Sequence, residues 1–166
     1  MARYLFSWVA LQNDFEQDKP SARGPNYNFH RYHYNHDAHI LLTTADTIHQ
    51  AQSLISGLRQ DFPRHLIQMR SVQVPINQLR EVKTAVERIL MEYAGHQLDI
   101  FFSPGSSIMQ VAWYLCHTTL NLDSRLLQLM RPRHSQNPQY PDLQEIEIVD
   151  APHKSGLLLH QYSLTH

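Results

Sequence analysis

Between residues 38 and 130, short continuous apolar runs alternate with stretches whose apolar residues recur three or four apart, and this pattern restricts the fold of the 166-residue chain more than any other. The runs are AHILLTT (38–44), LIQMRSVQV (66–74), DIFF (99–102) and RLLQLM (125–130), too short for helices and bounded by turn formers, so they read as strands. An earlier run, YLFSWVAL (4–11), is aromatic and β-branched and reads as a buried first strand. After Asp46 or Thr47 as a cap, Ile48, Ala51, Ile55, Leu58 and Phe62 share one helical face until Pro63. A second helix is predicted over about 77–94, with Val82, Val86, Ile89 and Tyr93 on one face and Gly95 as its stop, and a third over about 107–120. Repeated strand–helix–strand units require right-handed crossovers and set parallel strands side by side under helices on both faces. Two late segments, 143–149 and 157–164, follow without a helix and predict an antiparallel edge. The expected class is therefore α/β: one Rossmann-like domain over 1–166, with a mainly parallel sheet, helices on both faces and an antiparallel C-terminal edge. In such sheets ligands bind outside the carboxyl ends of the strands.

Composition narrows the functions such a domain can have. With 42% hydrophobic residues it can bury a core, but 14 Lys and Arg against 15 Asp and Glu leave a net charge of -1. A protein without excess positive charge cannot grip a long polyanion through its phosphates, so genomic DNA is not an expected partner. No apolar run approaches the roughly 18 residues of a membrane span, and no signal-peptide pattern opens the chain. A single cysteine, Cys116, cannot form an internal disulfide, and the expected location is cytoplasmic. No CxxC, HExxH, Walker lysine or GxGxxG occurs, and no metal or cofactor is expected.

Residues 12–37 interrupt the pattern as a long loop carrying Pro20, Gly24 and Pro25, with room for a hairpin of its own. Its aromatic and histidine-rich end alternates from Phe29 to His36. As a strand it would place His30, Tyr32, Tyr34 and His36 on one face suited to stacking on purines; otherwise these rings cover a core. His33, His36 and His39 lack the spacing of a zinc site, and Asp14, Glu16, Asp18 and Asp37 lack that of a magnesium site. Cys116 and His117 point about 100° apart on a helix and do not form a nucleophile–base pair.

The sharpest local feature is IFFSPGSSIMQVAWYL, residues 100–115. A strand runs into a tight turn in which Gly105 admits close backbone approach, and Ser106 and Ser107 stand where a helix opens with unpaired N–H groups. Such a turn cradles an anion or nucleotide, and it equally fits an ordinary Ser-capped helix start. The helix that follows carries one stripe of Ile108, Val111, Ala112 and Leu115 and another of Met109, Trp113, Cys116 and Leu120. Apolar on most sides, it suits either the core of a monomer or a two-fold interface that brings two SPGSS turns together.

In this stretch, residues 99–133, the chain resembles the CARF family, the Rossmann-like sensors of cyclic oligoadenylate attached to effectors of type III CRISPR antiviral defence. Within it the turn, the QVAWYL helix and the SRLLQLMRPR strand look most like the N-terminal sensor of the RtcR transcriptional activators. The resemblance implies a homodimer with its pocket on the two-fold axis and a dimer interface through Met109, Trp113 and Cys116. It implies phosphate and ribose contacts from Ser103, Gly105, Ser106, Ser107 and Gln110, adenines directed toward Trp8, Asn13, Thr44 and the aromatic loop, and Arg131 as the cation of the site, with Arg133 beside it. It also implies a C-terminal effector in the same chain, allosterically controlled by the ligand. Two rival readings differ in outcome: a ring nuclease, in which Ser107, Gln110 and Arg131 would position the ribose hydroxyl and phosphorus, and an RtcR-like sensor of RNA ends.

Overall fold

A computed structural model describes residues 1–130 and 141–148 of the protein. Its central sheet has six strands: β1 (Arg3–Trp8), β4 (Ala38–Thr44), β5 (Ile67–Val72), β6 (Gln97–Phe101), β7 (Ser124–Leu129) and β8 (Leu143–Glu145). The order across the sheet is β5-β4-β1-β6-β7-β8, and every pairing is parallel except that of β7 with β8. This is the Rossmann-like arrangement with the antiparallel edge expected from the sequence. β1 is central, with Tyr4 registered against both Ala38 of β4 and Leu98 of β6.

Helices cover both faces, as continuous apolar strands require. On one face α3 (Leu79–Met91) and α4 (Ser107–Thr119) close over Phe6, Trp8, Ile40, Leu42, Ile100 and Leu126. On the other, α1 (Pro25–Tyr32) and α2 (Ile48–Asp61) cover Leu5, Val9, Leu41, Ile67 and Phe101. Alternate residues of β1 therefore feed opposite cores, the period of two of an extended strand.

The 12–37 segment departs from the expectation of a loop ending in a strand. It opens with a small hairpin, β2 (Phe15–Glu16) and β3 (Lys19–Pro20), turned by Gln17 and Asp18 in the left-handed region. Phe29 to His36 do not form a strand. Gly24 in extended conformation and Pro25 at the first helical position start α1. Helical spacing then buries Asn26, Tyr27, Phe29 and His30, leaves Tyr32 exposed, and stacks His30 on Tyr34 one turn further. The strand alternative, with its purine-stacking face of His30, Tyr32, Tyr34 and His36, is thus not formed, and Phe29 and His30 instead cover the core, as in the other reading.

The polar interior has two centres. Asp99 on β6, 1% exposed, receives two hydrogen bonds from Arg125 (both 2.9 Å), one from Arg3 Nε (3.0 Å) and one from His36 Nε2 (2.8 Å). Burial alone would raise its carboxyl; the His36 and Arg125 bonds and the charges of Arg125 and Arg3 outweigh it and hold the group well below the usual carboxylate range. The second centre is Asp14, fully buried behind the turn that follows β1.

Candidate functional site

The chain leaves β1 toward β4 on one side and later crosses through α3 to β6 on the other, so the backbone diverges at the carboxyl ends of β1 and β6. A parallel sheet opens a crevice where its strand order reverses. Here the crevice is a cleft of about 270 Å³. One wall is the turn at residues 9–13, the other is Gly105, Ser106 and Met109, and Ile76 reaches in from beyond β5. None of these lining side chains is charged.

The Gly105 wall is built by local chemistry. Gly105 has φ +112, a conformation that L side chains rarely adopt, and a Cβ there would lie 3.3 Å from Trp8 Cβ and 3.2 Å from Met109 Sδ. Ser106 caps α4: its hydroxyl accepts from Met109 N–H (3.4 Å), and its own N–H points to Met109 Sδ (3.4 Å). The first N–H groups of α4 have no partner within the helix and carry its positive dipole end toward the cleft mouth. Among the described residues the arrangement therefore offers an anion N–H groups and a helix dipole rather than cationic side chains. Gly105→Ala should lower stability by about 1–3 kcal/mol, from the forced backbone conformation and the tight Cβ contacts. Chemical denaturation measures this, and an unchanged midpoint would contradict the geometry.

Of the residues anticipated for the ligand, the structure brings Asn13, Gly105 and Ser106 to the cleft, with Ser107 exposed at the first residue of α4. Ser103 and Gln110 stand behind it. Ser103 Oγ accepts from Leu129 N–H (3.1 Å), and the Gln110 amide donates to the Phe102 and Ser103 carbonyls (3.2 Å each), holding the turn in shape. Two assignments are corrected. Trp8 is fully buried against Trp113, and Thr44 is 3% exposed with its hydroxyl bonded to Asp46 (2.6 Å) at the start of the next helical turn, so neither presents a surface to an adenine. Arg131 and Arg133 lie outside the described residues, as do 157–164.

The interface assignment is also corrected. Met109, Trp113 and Cys116 are 8%, 0% and 0% exposed within the single chain, packed on its own sheet and α3, with Cys116 Sγ directed to the Lys83 carbonyl. The outward side of α4 holds Val111 and Tyr114, 42% and 38% exposed, flanked by half-buried Ile108 and Leu115, while Ala112 of the first stripe is buried in the core.

The aromatic loop does not lid the cleft. His30, His39, His65 and Tyr34 gather at the amino-terminal edge of β4 and β5, the opposite end of the sheet. The four acids do not converge: Asp14 is buried, Glu16 and Asp18 are exposed in the small hairpin, and Asp37 accepts from Arg3 N–H (2.7 Å). Among the described residues no group of three or more His, Cys, Asp or Glu is placed to hold a metal ion. Sequence reasoning missed residues 9–12 and Ile76, although their position just past strand ends is where the switch-point rule directs attention.

No protein-family model matches the sequence, and no curated protein does. Among solved structures the chain is similar to Enterococcus italicus Csm6 bound to cyclic hexa-2'-fluoro-hexa-dAMP, at 16% identity and a TM-score of 0.69. The match covers 97% of this chain and 44% of that one, so this chain spans less than half the length of that protein. At that identity the likeness establishes a shared fold. No helix among the described residues is long and apolar enough to cross a membrane.

Proposed function

We propose that this chain is a CARF-like sensor domain that binds a cyclic oligoadenylate, as a homodimer with the two switch-point clefts facing each other across the two-fold axis. The observation that carries the reading is the cleft itself: an uncharged crevice at the strand-order reversal, closed by a glycine turn and a helix start, in a fold shared with a protein solved with a cyclic hexa-adenylate analogue. Its size supports the dimer. About 270 Å³ falls just under the range of pockets that enclose a drug-sized molecule, so a ring of several adenylates needs two such clefts. The outward side of α4, with Val111 and Tyr114, supplies the apolar surface for a second copy. Asn13, Gly105, Ser106 and Ser107 contact the ligand; Ser103 and Gln110 hold the turn that presents them. In this reading the ligand signal passes to an effector carried elsewhere in the same protein, and the sensor works in the cytoplasm within type III CRISPR defence.

Melting curves with cyclic tetra- and hexa-adenylate test the reading. A ligand at a hundredfold excess over its Kd adds about 2.7 kcal/mol, raising the melting temperature by roughly 5–10 °C for a domain of this size. Recovery of the ring intact supports a sensor, and linear fragments would instead make the chain a ring nuclease. A shift produced by RNA ending in a 2',3'-cyclic phosphate, and by neither ring, would overturn the ligand class. The dimer has a separate test. Val111→Glu should leave folding stability within about 0.5 kcal/mol, since the side chain is exposed. It should convert the protein to monomers in sedimentation, and a dimer that survives would place the interface elsewhere.

A further inference from the structure

Beneath the sheet, on the face covered by α1, six side chains form one continuous hydrogen-bonded chain that ends behind the cleft. It begins at half-buried His65, between α2 and β5, whose Nδ1 meets His30 Nδ1 at 2.8 Å. His30 Nε2 meets His39 Nδ1 at 2.8 Å, and His39 Nε2 meets Ser7 Oγ at 2.7 Å. Ser7 Oγ bonds Asn26 Oδ1 at 2.7 Å, and Asn26 Nδ2 bonds Asp14 Oδ2 at 2.7 Å.

The direction of every proton follows from one end. Asn26 Nδ2 faces two acceptors, Asp14 Oδ2 and the Trp8 carbonyl (3.2 Å), so its Oδ1 faces Ser7 and the Ser7 hydroxyl donates to it. Ser7 Oγ then accepts from His39 Nε2–H. A neutral imidazole has one donor and one acceptor, so His39 Nδ1 accepts from His30 Nε2–H and His30 Nδ1 accepts from His65 Nδ1–H. Burial keeps both inner imidazoles neutral: His39 is pushed down to about 3, with the neighbouring imidazoles adding to the effect, and His30 is lowered as well.

The far end shapes the cleft. Asp14 Oδ2 also accepts from Ala10 N–H (2.8 Å), Oδ1 accepts from Asn26 N–H (3.1 Å), and the Asn13 and Asp14 N–H groups return to the Ala10 carbonyl (3.1 and 2.7 Å). The carboxylate therefore ties the 10–14 turn to the start of α1, and residues 9–13 of that turn are one wall of the cleft. Gly24 permits the approach, since a Cβ there would fall 2.8 Å from the Asn13 carbonyl oxygen and 2.9 Å from Asp14 Cα.

We propose that the chain from His65 to Asp14 is a single oriented relay that positions the cleft wall at residues 9–13, so that loss of the Asp14 carboxylate slackens that wall and weakens ligand binding. The ligand part rests on the cyclic oligoadenylate reading above. The groups facing Asp14 are Ala10 and Asn13 from its own turn, Gly24 and Asn26 at the start of α1, and Ser21, whose N–H donates to the Asp14 carbonyl (2.7 Å). None of these is titratable or charged. The titratable groups reached along the chain are His39, His30 and His65, with His36 and Asp99 beyond them. Burial pushes the Asp14 carboxyl up to about 6, against the pull of its Ala10 and Asn26 donors.

Two measurements without ligand and one with it test the relay. In 15N spectra of the imidazoles near neutral pH, His39 and His30 should carry their proton on Nε2 and His65 on Nδ1; an Nδ1–H tautomer at His39 would overturn the orientation. Hydrogen-exchange protection of the Ala10 and Asp14 amides, corrected for intrinsic rates, should fall in Asp14→Asn and in Ser7→Ala, both checked for folding by circular dichroism. Unchanged protection in the folded variants would overturn the positioning role. With cyclic hexa-adenylate as probe, Asp14→Asn should bind about tenfold more weakly near neutrality, the loss expected for a bond to a charged group. Equal affinities would sink the inference with the ligand reading intact. A wild type that does not bind the probe would sink the ligand reading, leaving the spectra and exchange to judge the relay.

Discussion

Asp99→Ala is expected to destabilise the domain by about 3 kcal/mol, lowering its melting temperature by roughly 6–12 °C. The carboxylate is 1% exposed and accepts hydrogen bonds from Arg3, Arg125 and His36. Its removal leaves the His36 side chain, 2% exposed, without the acceptor that holds it, and leaves two arginines facing an emptied site. The arginine side chains are 30% and 37% exposed and can turn to water, which keeps the cost at the lower end of the range for a broken buried pair. Denaturant titration provides the number, and a loss below about 1 kcal/mol would mean that the cluster contributes no more than a surface ion pair. Asp99 lies in the strand interior and not at the cleft, so the folded variant should retain its ligand affinity.

Acid should destabilise the protein well above the usual carboxylate range. His30 and His39 titrate at 6.5 in the unfolded chain and far lower when folded, so they support the native state above pH 6.5, and that support is lost as pH falls below it. Asp14 acts in the opposite sense. Its folded value of about 6 exceeds its unfolded 3.8, so it favours the native state progressively as pH falls from about 6 to 3.8. Two histidines against one aspartate leave a net loss near one proton, about 1.4 kcal/mol per pH unit, or roughly 3 kcal/mol between pH 7 and 4.5. Below about 4 the Asp99 carboxylate adds its own loss, because its depressed value makes the folded state resist protonation. Denaturation midpoints across this range measure the slope. His39→Gln, which keeps a donor and an acceptor but no titration, should nearly flatten it; a wild type whose midpoint does not move from pH 7 to 4.5 would refute the account.

Some of this was legible in the residues. The strands β4, β5, β6 and β7 and the helices α2, α3 and α4 follow from apolar spacing, because each buries a face whose period is local. The SPGSS turn was legible because positive φ and helix capping demand particular residue types. The helix α1 was not, since its buried face includes Asn26 and His30, polar residues that no hydrophobic period marks. For α4 the sequence displayed two apolar stripes without a sign of which one meets the sheet. Packing gave Met109, Trp113 and Cys116 of one stripe and Ala112 of the other to the protein's own core, and left Val111 and Tyr114 outside.

The sequence by itself determined the parallel α/β architecture, its antiparallel edge and the glycine turn at a strand end, because helix and strand periods, caps and turns depend on neighbours within about four residues. Only the tertiary structure decided which polar groups are buried and what satisfies them. Arg3 and Asp99 are 96 residues apart, His36 and Asp99 are 63 apart, and His39 meets Ser7 across 32. A buried polar group is tolerated only with its partner in place, and that partner comes from another strand or helix, so neither the Asp99 cluster nor the relay behind the cleft exists until the sheet has assembled.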